Sequence, residues 1–235
     1  KEVDENFGCV SNAGVDGHST WGHIFAFEKW FPLIPNLQPK LIILYVGIND
    51  VNFKRAATPN YGFDANNRKG LKTFLKNFEI VRALLPIYRF SWQKIIKPSE
   101  PHVGHAPKLY LENDYTITNM NEKTVVLSKK NALAFETKMI KILREVKRSN
   151  AIPICVTQPH RYINIKDDRM YGIPNVLGDK FSGIDFDFSI RQLNAVLIDL
   201  CGDMTIDLYN HNFSNHHFYD GVHTTSTGSQ EIGEI

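Results

Sequence analysis

A chain of 235 residues with 43% hydrophobic and 22% charged residues has the apolar material for a sizeable core and lies outside the compositions of disordered proteins. A net charge of +2 is too small to make nucleic acid the default partner, and no apolar run nears the roughly 20 residues that cross a bilayer. The three cysteines, Cys9, Cys155 and Cys201, are an odd number at wide spacing, and two of them sit in apolar runs. They read as buried free thiols rather than a disulfide framework or a zinc site, which leans toward a reducing compartment.

The chain opens on Gly8-Cys9-Val10-Ser11, which reads as a short strand entering a glycine-containing loop. Residues 23 to 31 follow with Ile24, Phe27 and Phe31 at helical spacing. Leu41-Ile42-Ile43-Leu44-Tyr45-Val46 is a continuous apolar run between Pro39 and Gly47, the pattern of a strand buried on both faces of a parallel sheet. Leu71, Phe74, Leu75, Phe78, Val81 and Leu85 predict a helix that Pro86 ends. The irregular stretch 86–125 is a candidate lid or insertion, and 128–149 reads as a long basic amphipathic helix. Ile152 to Thr157 is the next strand, then a helix from Phe188 to Cys201, a short strand at Thr205-Ile206-Asp207, and a last helix from Gly228. Strands alternating with helices predict one α/β domain over residues 1–235, doubly wound on a parallel sheet. The chain starts without methionine and stops about two turns into that last helix, so both ends read as cut, and a cytoplasmic, periplasmic or secreted location stays open.

In such sheets ligands bind outside the carboxyl ends of the strands, and three loops there carry the unusual residues. Asn12-Ala13-Gly14-Val15-Asp16-Gly17-His18-Ser19 offers glycines that bring backbone N–H groups close to a ligand. Gly47-Ile48-Asn49-Asp50 follows the apolar strand; an asparagine amide there can donate to a developing oxyanion, while Asp50 can cap the next segment. Asp220-Gly221-Val222-His223 can set a carboxylate against one imidazole nitrogen and leave the other as a base.

Together and in this order, the three loops resemble the later sequence blocks of the SGNH (GDSL-like) hydrolases, a family of serine esterases and lipases, over residues 8 to 235. The resemblance implies a flavodoxin-like three-layer fold and a serine hydrolase acting on an ester or acetyl ester, with a small-molecule or carbohydrate substrate. It implies an oxyanion hole from the Gly17 N–H and the Asn49 side chain, with His223 as general base oriented by Asp220, and neither metal nor organic cofactor. The family's nucleophile belongs to a Gly-Asp-Ser-like block that would fall before Lys1, and no Gly-Asp-Ser stands in this sequence. A chain without that strand exposes two unpaired sheet edges. Ser19 and Ser226 read as helix caps rather than substitute nucleophiles.

Gln158, after the strand ending at Thr157, is a candidate pocket residue together with Asp50. His211, His216 and His217 lie near Asp220 and His223 without the spacing of a zinc hydrolase, and read as a solvated loop. Residues 54–97 hold ten Lys or Arg against Asp64 and Glu79, read as the solvated face of an amphipathic helix. Two other readings stay open: an acetyltransferase to sugar hydroxyls, and a non-catalytic carbohydrate-binding relative.

Overall fold

The computed structural model describes residues 9–15, 17–51, 110–176 and 181–235. The expected helix at 71–85 and the basic stretch at 54–97 lie outside them. The described elements are α1 (Thr20–Phe25), continued by a wider turn at Ala26–Trp30 and a tighter one at Phe31–Leu33, then β1 (Leu41–Leu44) and α2 (Glu122–Arg148). They continue with β2 (Ile152–Val156), β3 (Ile163–Lys166), β4 (Arg169–Gly172), α3 (Gly183–Cys201), β5 (Thr205–Ile206) and α4 (Ser226–Glu234). The chain is α/β. Its main sheet is parallel, in the order β1-β2-β5, with Leu41 opposite Ile152, Leu44 opposite Cys155 and Val156 opposite Ile206.

Proline is rare inside a sheet because it cannot donate to the ladder. Pro153 is tolerated because the neighbouring Ile152 N–H serves the β1 side, bonding Lys40 at 2.9 Å, and β5 runs only opposite Cys155 and Val156. At Pro153 the other side of β2 therefore has no strand to pair with.

α2 runs six residues further toward its amino end than its apolar spacing predicts, because Asn121 caps it by accepting the Lys123 N–H at 3.0 Å. Its buried stripe includes Ser128, Asn131, Phe135, Lys138, Met139, Ile142 and Val146, at the three- and four-residue spacing of one helix face. α3 starts at a reciprocal cap, with Ser182 Oγ accepting the Asp185 N–H at 3.1 Å and Asp185 Oδ2 accepting the Ser182 N–H at 3.2 Å. The two helices close on each other through Ser128 and Ser189, whose hydroxyls meet at 2.7 Å. Phe135, Met139, Ile142, Ile190, Leu193 and Leu197 fill the space between these helices and the Leu44–Cys155 face of the sheet.

Three expectations need correction. Cys9–Ser11 is not a strand: it has no sheet partner and Val10 is 96% exposed. β1 is not buried on both faces, since Leu41, Ile43 and Tyr45 point away from the core and are exposed. Cys155 and Cys201 are not free thiols. They form a disulfide across 46 residues, because the end of α3 packs beside β2 and brings their Cα atoms to 6.2 Å. Cys9 is free and exposed. The β3–β4 hairpin was not anticipated; Asp167 and Asp168, at φ 51° and 56°, make the left-handed turn that joins its antiparallel strands. Within 86–125, the described residues start at Tyr110, which is buried, and Thr116 bridges Gly172, while Leu111 and Ile117 are exposed.

Phe135→Ala should lower the unfolding free energy by about 3–5 kcal/mol, read from urea denaturation, because its ring is wholly buried between helix and sheet.

Candidate active site

The strands of the main sheet run parallel, so the loops leaving β1, β2 and β5 gather at one end of it. All the residues singled out in the sequence lie in these loops or in the turn entering α1.

The turn entering α1 and the loop after β1 are clamped together by one carboxylate. Asp50 is wholly buried. Its Oδ2 accepts the Thr20 N–H at 2.8 Å, and its Oδ1 accepts the Thr20 hydroxyl at 2.6 Å and the Lys138 ammonium at 3.0 Å. Its backbone carbonyl accepts the Asn131 amide at 2.7 Å. Asp50 thus caps α1 rather than the segment after itself, and Ser19, although in the capping position, makes no side-chain cap bond. Both carboxylate oxygens are engaged inside the protein, so Asp50 is not presented to a ligand. The adjacent Asn49 amide donates to the His18 carbonyl at 3.0 Å, which aims it across the Gly17–His18 turn. Gly17 sits at φ 75°, a conformation that glycine reaches without strain. Gly17 and Asn49 are therefore brought side by side through His18.

The loop after β5 folds into a tight turn, with a bridge between Phe218 and Thr224 and the Tyr219 N–H donating to the His223 carbonyl at 3.0 Å. Asp220 Oδ1 accepts the Val222 and His223 N–H groups at 2.8 and 2.7 Å, and Oδ2 meets His223 Nδ1 at 2.7 Å. Burial pushes the Asp220 carboxyl up, but these two backbone donors and the imidazole outweigh it and hold the group below its ordinary value. With Nδ1–H directed at a carboxylate, the lone pair of His223 is on Nε2, on a side chain that is 42% exposed. The Tyr219 ring stacks on the imidazole at 5.5 Å between centroids. A Cβ at Gly221 would overlap the Tyr162 ring, so the turn can close on that tyrosine only with glycine at this position.

Gln158 is buried, and α3 holds its backbone through Asn194, whose side chain accepts the Gln158 N–H at 2.9 Å and donates to its carbonyl at 3.1 Å. The neighbouring Thr157 Oγ1 donates to Asp207 at 2.7 Å and so joins the loops after β2 and β5.

A second histidine–carboxylate pair was missed. His160 Nε2 lies 3.1 Å from Asp187 Oδ1, which also accepts the Tyr209 hydroxyl at 2.6 Å, while Arg191 pairs with Oδ2 at 2.8 Å. The Tyr162 N–H donates to His160 Nδ1 at 3.1 Å, so that nitrogen's lone pair is occupied and the ring, 1% exposed, has no base to offer. This pair is structural. Burial raises the Asp187 carboxyl, but His160, Tyr209 and Arg191 together bring it below its ordinary value.

Among the remaining histidines, His211 pairs with Glu231 at 2.8 Å and His216 Nε2 meets Ser214 Oγ at 3.0 Å. Among the described residues no three His, Cys, Asp or Glu converge as metal ligands, and no helix is long and apolar enough to cross a membrane. α4 is capped by Thr225, which accepts the Gly228 N–H at 3.2 Å, and not by Ser226. No family model matches the chain, and no curated protein or solved structure is significantly similar to it.

Two predictions follow from these buried carboxylates. Asp50→Ala takes this carboxylate from the buried Lys138 and the cap from α1, and should cost about 3–5 kcal/mol in urea unfolding. Asp187, depressed in the folded state, contributes stability that is present at neutral pH and lost as pH falls through the carboxylate range, below about pH 4. Asp187→Asn should therefore lower the urea midpoint at pH 7 and lose less of it than the parent protein between pH 6 and 3.

Proposed function

We propose that this chain carries the acid–base and oxyanion residues of a serine ester hydrolase of the SGNH type, with a flavodoxin-like doubly wound fold. It acts on an ester or acetyl ester of a small molecule or carbohydrate. The observation that carries the reading is the Asp220–His223 pair, closed at 2.7 Å on a partly buried turn in the loop that follows the last strand of a parallel sheet. With Nδ1 facing the carboxylate, the basic lone pair is on Nε2 of a partly exposed side chain.

The chemistry follows from those roles. A serine hydroxyl attacks the acyl carbon as His223 Nε2 takes its proton, and Asp220 stabilises the imidazolium that forms. The Gly17 N–H and the Asn49 amide receive the charge that develops on the carbonyl oxygen. The imidazolium returns its proton to the leaving alcohol. Water, deprotonated by the same nitrogen, then releases the acid and restores the serine. The family resemblance assigns that serine to a block upstream of Lys1, so the reading is tested on a protein that carries it.

Such a protein should take one fluorophosphonate adduct and hydrolyse p-nitrophenyl acetate, and His223→Ala should abolish both without lowering the unfolding midpoint. Turnover retained in His223→Ala would sink the assignment. Asn49→Ala should reduce kcat by about a hundredfold to a thousandfold with little change in KM. A rise in KM alone would make Asn49 a binding residue instead.

A further inference from the structure

Beside the Asp220–His223 turn lies a cavity of about 310 Å³ whose lining includes Tyr115, His160, Arg161, Asn164, Phe213 and Asn215. The residue that shapes it is Arg161, which is only 6% exposed. Its backbone N–H donates to the Gly221 carbonyl at 2.8 Å, its Nη1 to the Asn215 carbonyl at 2.6 Å, and its own carbonyl accepts the Tyr115 hydroxyl at 2.9 Å. Arg161 therefore holds both flanks of the loop that carries Asp220. The other arm of its guanidinium is not used: Nη2 is buried and has no hydrogen-bond partner among the described residues.

A guanidinium keeps its charge at any ordinary pH, and burying it without a counter-ion is unfavourable. No carboxylate among the described residues pairs with Arg161. Carboxylates around it are committed elsewhere: Glu112, which also lines the cavity, pairs with Lys166 at 3.0 Å, Asp187 is taken by His160, Tyr209 and Arg191, and Asp220 by His223. A buried arginine with one idle arm, in the wall of a cavity that also carries an asparagine and two aromatic rings, matches the forked geometry by which arginine holds a carboxylate or phosphate.

We propose that this cavity binds a small oxyanion, a carboxylate, phosphate or sulfate group, on Arg161. The site stands on the cavity and the unpaired guanidinium and does not depend on ester hydrolysis. An anion seated there would brace the β3–β4 hairpin against the loop before α4, so its occupancy is read as thermal stabilisation.

The test is thermal unfolding of the purified protein titrated with sodium phosphate, sodium sulfate or glucuronate, against sodium chloride at matched ionic strength and glucose as a neutral control. At least one oxyanion should raise Tm saturably where chloride and glucose do not, and Arg161→Gln should weaken that binding about tenfold or more. Preference for phosphate or sulfate would point to an inorganic or phosphorylated ligand, and preference for glucuronate to a carboxylated sugar. No response beyond chloride, an equal response to glucose, or an undiminished response in Arg161→Gln would overturn the site. If Arg161→Gln does not fold, Asn164→Trp fills the cavity from β3 while leaving the guanidinium in place, and a response that survives it is equally fatal. His223→Ala should keep the full response. Its loss there would put the anion at the catalytic histidine and overturn the separate site.

Discussion

A single buried carboxylate organises the site end of this molecule. Asp50 has no contact with water and neutralises Lys138 from the middle of α2, caps the first turn of α1, and offers its carbonyl to Asn131 about two turns earlier on α2. Three segments far apart in sequence are thereby referred to one side chain. Removing Asp50 would take a carboxylate from the buried Lys138 and the cap from α1 at once. The Gly17 turn and the Asn49 amide derive their relative position from it, because Asn49 is the next residue and His18 lies two before the threonine that Asp50 binds.

The two histidine–aspartate pairs, Asp187–His160 and Asp220–His223, are built alike but placed differently. Both have a nitrogen near 3 Å from an aspartate. His223 presents Nδ1 to its partner from a half-buried turn, with its side chain 42% exposed; His160 presents Nε2, receives a backbone N–H on Nδ1 and is enclosed by Tyr162, Phe186 and Tyr209. Which nitrogen faces the carboxylate, and what occupies the other, decides whether the pair can move a proton.

Much of the scaffold was legible in the sequence because its signals are local. The apolar run of β1, the periodicity of α2 and the apolar β2 each announce their element within a few residues. Gly8–Ser11 has a strand's composition, but strand formation needs a partner, and none lies beside the described Cys9–Ser11. The β3–β4 hairpin is too polar and too short to stand out, and its turn is Asp-Asp rather than Asn-Gly. At the site, Asp220 and His223 were readable because four residues contain them both. The partners of Asp50 were not, since they lie at positions 20, 131 and 138. One clue was present: Asn131 and Lys138 fall on the apolar stripe of α2, where a polar side chain must find a partner. The Cys155–Cys201 bond joins residues 46 apart, and only the packing of α3 against β2 reveals it.

The closeness of Gly221 to Tyr162 bears on how such a protein can diverge. The interval between Asp220 and His223 contains one position from which every side chain larger than hydrogen is barred, independently of what the histidine acts upon. Substitutions at exposed positions of that loop leave this contact untouched. Drift at Gly221 would instead push the turn off the tyrosine and separate acid from base. A saturation library at that codon should return glycine almost alone. That makes the Asp-Gly pair, more than the histidine cluster around it, the signature by which distant kin would be recognised.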